Sequence, residues 1–313
     1  EMCIRDRKCP HLSEDQVLPV SGDSAGVRIL YEDSDLCVAD KPSGMVCHAS
    51  HGHYSDSLTH AAASLLKTPT APSELRCIGR LDKDTSGLVL FAKNQLAAAR
   101  LSRQRESGAL KKEYLALVHH PFSEETQKET IRLSMEQIPG DDPDSFDPSG
   151  KRITKMRICK EGNGLWATTH YEAVLQDPFW AVVCCRLETG RTHQIRLHMA
   201  SIGHPLFGDP LYGVRDGGTR AALHAWKLHF LQPMTGEPID LEEQKEHKRR
   251  VRYKGTHPRN YNEKYKELNP EKYQGTIEHV IQKGSTPAGM HIPILVEEIL
   301  DFLKIEPGQN GLD

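Results

Sequence analysis

Apolar residues fall in short runs along this chain, and the turn-forming residues between them sort those runs into strands and helices. Leu36-Cys37-Val38-Ala39 reads as a short buried strand, and Lys41-Pro42-Ser43-Gly44 then forces a turn. Ser57 to Leu66 repeats apolar positions at helical spacing, with Leu58, Ala61, Ala62 and Leu65 on one face. Gly87 to Ala92 (GLVLFA) predicts a strand. Asn94 follows as the cap of a helix through Arg105, whose apolar face holds Leu96, Ala97 and Leu101. Glu113 to Val118, Thr168 to Leu175 and Ala181 to Leu187 predict further strands; the densest stretch, Trp180 to Cys185, reads as buried. Between the first two of these, Gly140 to Gly150 is Asp-rich and predicts an exposed loop. Gly190 marks a turn, and a helix starts near Thr192, its expected N-cap, with Ile195 and Met199 on the buried face. Strands and helices mix without a regular β-α-β alternation, which favours an α+β fold over a doubly wound one.

Composition narrows the class. Of 313 residues, 37% are hydrophobic and 27% charged, the balance of a soluble globular protein. No apolar run approaches the roughly 18–20 residues needed to span a bilayer, so no membrane partner is expected. The eight cysteines include no CxxC pair and no Cys/His cluster at zinc spacing, so no metal is expected and the thiols are read as free in a reducing, cytoplasmic setting. Cys184 and Cys185 are adjacent, so on a strand they face opposite sides. The net charge of −3 means that any nucleic-acid footprint is a local patch.

Two segments can carry chemistry. In Gly79-Arg80-Leu81-Asp82-Lys83-Asp84-Thr85-Ser86-Gly87, feeding into GLVLFA, the Asp-x-x-Thr-Ser-Gly wording makes a tight turn by itself. It can equally hold a carboxylate, Asp82, at a strand start beside an arginine. In Leu187-Glu188-Thr189-Gly190-Arg191-Thr192-His193-Gln194-Ile195-Arg196-Leu197-His198, a strand runs through a glycine turn into a helix. Arg191 at the turn can reach a carboxylate or phosphate, and His193 and Arg196, three apart, share a helix face. An amphipathic helix with solvated basic residues explains the second segment as well. Neither segment decides alone.

Together their wording does. RLDKDTSGLVLFAKN (80–94) resembles the catalytic-aspartate motif of the RluA-type RNA pseudouridine synthases, and LETGRTHQIRLHMASIGHPLFGDPLYG (187–213) resembles that family's second signature. DKPSGMVCH (40–48) is similar to its leading KPxGxxxH element, and KKEYLALV (111–118) to the strand that carries its active-site tyrosine. The four occur in the family's order over residues 29 to 235. The resemblance implies a mixed, largely antiparallel central sheet flanked by helices and loops, and isomerisation of uridine to pseudouridine with no cofactor. It implies Asp82 as the catalytic aspartate, as nucleophile toward the sugar or as base toward a ribose proton, both left open. Tyr114 would stack on the uracil and assist proton removal, and Arg191 would pair with Asp82. Arg80, Thr85, Ser86, His193, Gln194, Arg196 and Leu197 would bind substrate. Gly79 departs from the histidine that many members carry there, and the S4-type RNA-binding domain that often precedes this domain is missing from the given sequence, either removed with a truncated start or lacking in this subgroup.

The ends carry separate expectations. EMCIRDR (1–7) resembles the translation of a sequencing-library transposon adapter and is set aside as an artefact, and 8–28 reads as a linker or remnant. The catalytic domain is expected over 29–241. A basic arm or linker is expected over 242–289, where Lys245 to Arg259 holds seven Lys/Arg against one acid. The tail from Arg249 to Asp313 resembles the start of an rRNA cytosine methyltransferase of the MraW/RsmH type, with 290–313 as a truncated domain lacking the cofactor loop. A natural fusion and an assembly artefact both account for it. The expected partner is therefore structured RNA, ribosomal rather than transfer, bound by a monomer. The competing expectations are a tRNA synthase, a non-catalytic RNA-binding or ribosome-assembly protein that keeps the fold, and a methyltransferase.

Overall fold

The computed structural model describes residues 26–242, apart from 50–52, 54, 68–69, 147–149, 151, 161–162 and 219. The expectations for 1–7, for most of 8–28 and for 243–313 lie outside the described residues. Val27 is buried in the core and Arg28 opens the first strand, so the fold includes the last residues of the expected linker.

Among the described residues eleven strands make one sheet: β1 (Arg28–Glu32), β2 (Leu36–Lys41), β3 (Arg76–Ile78), β4 (Ser86–Ala92), β5 (Lys111–His119), β6 (Lys128–Gln137), β7 (Met156–Cys159), β8 (Leu165–Gln176), β9 (Trp180–Leu187), β10 (Leu223–Leu231) and β11 (Pro238–Glu242). Their order is β1-β2-β4-β10-β5-β9-β8-β6-β7, with β3 beside β4 and β11 beside β10. Every pairing among them is antiparallel except β4 with β10, so the sheet is mixed and largely antiparallel, as expected. Among the described residues three α-helices accompany it: α1 (Leu58–Leu65), α2 (Gln95–Glu106) and α3 (Gln194–Ser201).

The period-two geometry of strands divides the core. On one face Val89 and Phe91 of β4, Tyr114 and Ala116 of β5, and Val183 and Cys185 of β9 join residues of α1 and α3. On the other face Leu88 and Leu90 of β4 pack on Ala97 and Leu101 of α2, while Leu115, Leu117, Val182 and Cys184 form a neighbouring cluster. Buried on both sides, β4 reads in sequence as an unbroken apolar run. Cys184 and Cys185 do face opposite clusters.

Helix α2 is capped as expected, Asn94 Oδ1 accepting the N–H of Ala97 at 2.8 Å. Its apolar face is narrower than predicted, because Leu96 is 53% exposed while Ala97 and Leu101 are buried. The start of α3 also differs. Its N-cap is His193, in the left-handed region at φ 55°, not Thr192, and its side chain makes no capping bond.

The parallel β4–β10 contact depends on Gly87. Its φ is +109°, and a Cβ there would run into the backbone of Ala225. Only glycine combines that conformation with that approach. Gly87→Ala is expected to cost roughly 2–6 kcal/mol, about 1–3 for strain and about 1–3 for overpacking. Urea unfolding measures it, and a loss under about 1 kcal/mol would contradict this account of the glycine.

Candidate active site

Sheet register assembles the site. Tyr114 pairs with Cys185 on one side and with Ala225 on the other, and Ala225 in turn pairs with Gly87. The loop from Gly79 to Thr85, which ends at β4, therefore lies beside Tyr114. Asp82 is half-buried in this loop, its carbonyl accepting the N–H of Thr85 at 3.2 Å.

The loop is gripped from the turn after β2. Lys41 is fully buried, and its Nζ donates to the carbonyls of Pro42 (2.9 Å), Met45 (2.7 Å) and Lys83 (2.8 Å). The Gly44 N–H also donates to Lys83 O at 2.9 Å, and Ser43 Oγ to Asp84 O at 2.8 Å. Burial pulls the Lys41 pKa down to about 8, against the charges of Cys47, Asp84 and Asp82, which raise it. The residues flanking Asp82 are thus fixed by a lysine 42 positions and a serine 41 positions away from them in sequence.

A second group comes from α3 and the loop after it. Arg196 is 3% exposed and forms a two-pronged pair with Asp209, Nε to Oδ2 at 2.7 Å and Nη2 to Oδ1 at 2.6 Å. Burial would lower the Arg196 pKa, but the Asp209 bonds outweigh it, and Asp82 also favours the cation. Asp209 Oδ1 further accepts the N–H groups of Leu211 (2.9 Å) and Tyr212 (3.2 Å). The guanidinium carbon lies 5.4 Å from the centre of the Tyr212 ring. The Tyr212 hydroxyl accepts from Met156 N–H at 2.8 Å and meets His193 Nδ1 at 3.0 Å. Burial lowers the His193 pKa, opposed by the charge of Asp82. Leu197 packs with Met135 and Ala167, next to Tyr212, as an apolar wall. Tyr114 is 7% exposed, and burial first, then the charge of Asp82, raises its phenol pKa.

The expected Arg191–Asp82 pair is not formed. Arg191 is exposed, and its Nε points to the carbonyl of Trp166 at 3.4 Å. The arginine that senses Asp82 is Arg196, which the sequence reading placed among solvated or substrate-binding residues. Gln194 is committed to the fold: Nε2 donates to Thr168 O (2.9 Å) and Thr169 Oγ1 (3.0 Å), while Oε1 accepts from Thr189 Oγ1 (2.8 Å) and Arg191 N–H (3.0 Å). Thr85 and Ser86 are buried, and Ser86 Oγ meets His224 Nδ1 at 2.9 Å, so these two shape the loop from within. Arg80 is exposed beside the loop. Lys41, Asp209, Tyr212 and Arg220, whose charge acts on Asp84 and Lys41, were not among the expected site residues. The first three stand in segments the reading did quote, but local spacing says nothing about which long-range partner each will meet. Among the described residues no group of His, Cys, Asp and Glu could hold a metal ion.

A loop-borne carboxylate, Asp82, beside a buried aromatic ring and a buried, paired arginine makes this the candidate active site. Residues 35–201 match the RNA pseudouridylate synthase family, and the chain belongs to it. The chain is 35% identical over 231 residues to ribosomal large subunit pseudouridine synthase D of Zymomonas mobilis, covering 69% of this chain and 68% of that protein. Its namesake in Nitrosomonas europaea is 36% identical over 226 residues, covering 67% and 60%. The uncharacterized RNA pseudouridine synthase YlyB of Bacillus subtilis is 36% identical over 234 residues, covering 73% and 72%. In structure, human RNA pseudouridylate synthase domain containing 1 superposes with a TM-score of 0.55 at 24% identity, over 72% of this chain and 85% of that one, a likeness of fold.

Two expectations follow from the site's scaffold. Lys41→Met strands three carbonyl acceptors and frees the Asp82 loop, and should cut turnover about 100-fold, the loss associated with a misplacement of roughly 1 Å. Turnover within a factor of about three of the parent, with the protein folded, would refute the clamp. Asp209→Asn leaves Arg196 buried without its carboxylate, a loss of about 3–5 kcal/mol at neutral pH. The native Asp209 pKa is lowered, since the Arg196 bonds outweigh burial. The pair's contribution is therefore complete above the unfolded carboxylate pKa of about 3.9 and lost as pH falls through the lower native value. Urea unfolding should show the gap between parent and variant closing below about pH 4.

Proposed function

We propose that this chain isomerises uridine to pseudouridine in ribosomal RNA, with Asp82 as the carboxylate on which the reaction turns. One observation carries the residue assignment. Lys41, Tyr114, His193, Arg196 and Tyr212, from three separated segments, all lie within electrostatic reach of the Asp82 charge. The choice of ribosomal RNA follows the names of the Zymomonas and Nitrosomonas relatives.

The reaction breaks the bond from ribose to the uracil nitrogen, turns the base, and rejoins it through carbon. The anomeric carbon becomes electron-deficient on the way, and a carboxylate answers that need. Asp82 serves there, with Arg196 as the neighbouring cation in place of Arg191. Tyr114 offers an aromatic face to the uracil. Its raised pKa keeps the phenol protonated, so it holds the base as a ring and hydroxyl and is a poor proton acceptor. Leu197, packed next to Tyr212, supplies an apolar wall near Arg196. Flipping the target nucleotide costs a few kcal/mol, which the exposed Arg80 and Arg191 offset through phosphate contacts. The proposed chemistry needs no cofactor, and the enzyme works as a cytoplasmic monomer.

The test is pseudouridine mapping on ribosomal and transfer RNA from a strain that lacks the gene, with parent and Asp82→Asn proteins of equal fold. New pseudouridine in ribosomal RNA from the parent alone is the expected outcome. Product from the variant would remove Asp82 from its role, and product only in transfer RNA would overturn the substrate class.

A further inference from the structure

An exposed indole stands near the start of β8 and takes no part in the chemistry above. Trp166 is 40% exposed, whereas Trp180 on the neighbouring strand is only 9% exposed. Trp166 pairs with Ser134 of β6, so Arg132, two residues before Ser134, stands on the same face of the sheet. The Arg132 guanidinium carbon lies 5.2 Å from the centre of the indole ring. Arg132 is itself exposed, and no ion pair engages it among the described residues. The acids along this part of the sheet are matched to other cations: Glu172 to Lys128 (2.9 Å), Glu188 to His170 (2.8 Å) and Glu136 to Arg157 (2.8 Å).

One loop joins this indole to the site. The β8–β9 ladder ends where Thr169 pairs with Leu187. Beyond it the loop after β9 meets the edge of β8: Thr168 N–H donates to Thr189 Oγ1 at 3.0 Å, and Arg191 Nε to the Trp166 carbonyl at 3.4 Å. Two residues after Arg191, His193 meets Tyr212 at 3.0 Å and senses the charge of Asp82. Arg191 thus stands between the indole and the site, exposed and without an ion pair among the described residues. A flat π-face with two unmatched guanidiniums beside it fits an unpaired nucleobase and its phosphates. A duplex, whose bases are already stacked on one another, offers such a surface its phosphates alone.

Resting on the reading of this chain as a synthase, we propose that Trp166 is a stacking platform for an unpaired nucleotide near the target uridine. Arg132 holds the ring, and Arg191 meets the phosphates of the strand that runs from the platform to Asp82. Turning the target uridine out of its stack leaves its neighbours without a partner, and the indole supplies one, which offsets part of the cost of flipping. Every base has a π-face, so the contact tolerates any base and selects for unpaired structure instead of sequence. The platform therefore favours uridines in loops and bulges over uridines within a continuous helix.

Binding of the full-length protein to single-stranded oligoadenylate, which lacks the target base, and to an RNA duplex of the same length tests the platform apart from catalysis. Oligoadenylate should quench the indole emission of the parent. The quench should vanish in Trp166→Phe, whose ring still stacks and whose affinity stays within about threefold of the parent's. Trp166→Ala should bind oligoadenylate about tenfold more weakly and the duplex as the parent does. With ribosomal RNA as substrate, Trp166→Ala should raise KM about tenfold and lower kcat less than about twofold, because the lost contact is remote from the reacting atoms. A folded Trp166→Ala that binds oligoadenylate as tightly as the parent overturns the proposal and leaves the patch to a protein partner. An equal loss of duplex and oligoadenylate binding, or a quench that persists in Trp166→Phe, overturns it too. Should Trp166→Ala not fold, the quench and its loss in Trp166→Phe decide. If even the parent modifies no RNA, the synthase reading has failed and the oligoadenylate result alone decides the platform.

Discussion

A single buried ammonium organises the reacting end of this molecule. Removing a lysine from water is costly unless its donors are met, and Lys41 meets all three with backbone carbonyls. Two of these belong to its own turn and the third to Lys83, next to Asp82. Its lowered pKa of about 8 still lies above neutrality, so the three-donor form persists there. An apolar residue could fill the space, but the carbonyls would then lack partners and the loop could take several arrangements. Asp82 is thus positioned through its neighbours' backbone, and among the described residues its own carboxylate oxygens make no hydrogen bond to the scaffold.

The strands that were legible in sequence are those whose burial is simplest. Strands β2, β4 and β9 are covered on both faces and read as continuous apolar runs, and β5 is nearly so. Strands β1, β6, β7, β10 and β11 were not foreseen. KETIRLSMEQ mixes charges with apolar residues because one edge of it faces water, and LHAWKLHFL places histidine and lysine inside a strand. Their places are set by pairing with distant partners, His224 with Leu115 or Ile131 with Thr169, and no local pattern encodes that. Three-residue β3 is too short to carry a period at all.

The same limit explains the arginine that was misplaced. Arg191 stands at a glycine turn and reads as free to reach inward, whereas Arg196 sits within a helix and reads as solvated. The structure reverses both. The left-handed residue His193 redirects the chain, so α3 enters the core with Gln194 to Met199 all buried. A guanidinium can be buried only with a carboxylate at hand. Asp209, thirteen residues on, supplies it. Local spacing did put His193 and Arg196 on one side, and both do sense Asp82 through space. What spacing could not supply was the anion that makes the burial tolerable.

This division of cations also accounts for an RNA enzyme with a net charge of −3. The inner ones, Lys41 and Arg196, are spent on carbonyls and on Asp209, and they shape the field at Asp82 without being available to phosphate. The exposed ones near the site, Arg80 and Arg191, carry no ion pair among the described residues, so a polyanion can recruit them without breaking the fold. Elsewhere on the surface some arginines are matched at short range, Arg28 with Asp40, Arg157 with Glu136, Arg186 with Glu113. Attraction for a polyanion depends on where unmatched cations stand as well as on net charge, and a chain acidic overall can still present a positive rim beside Asp82.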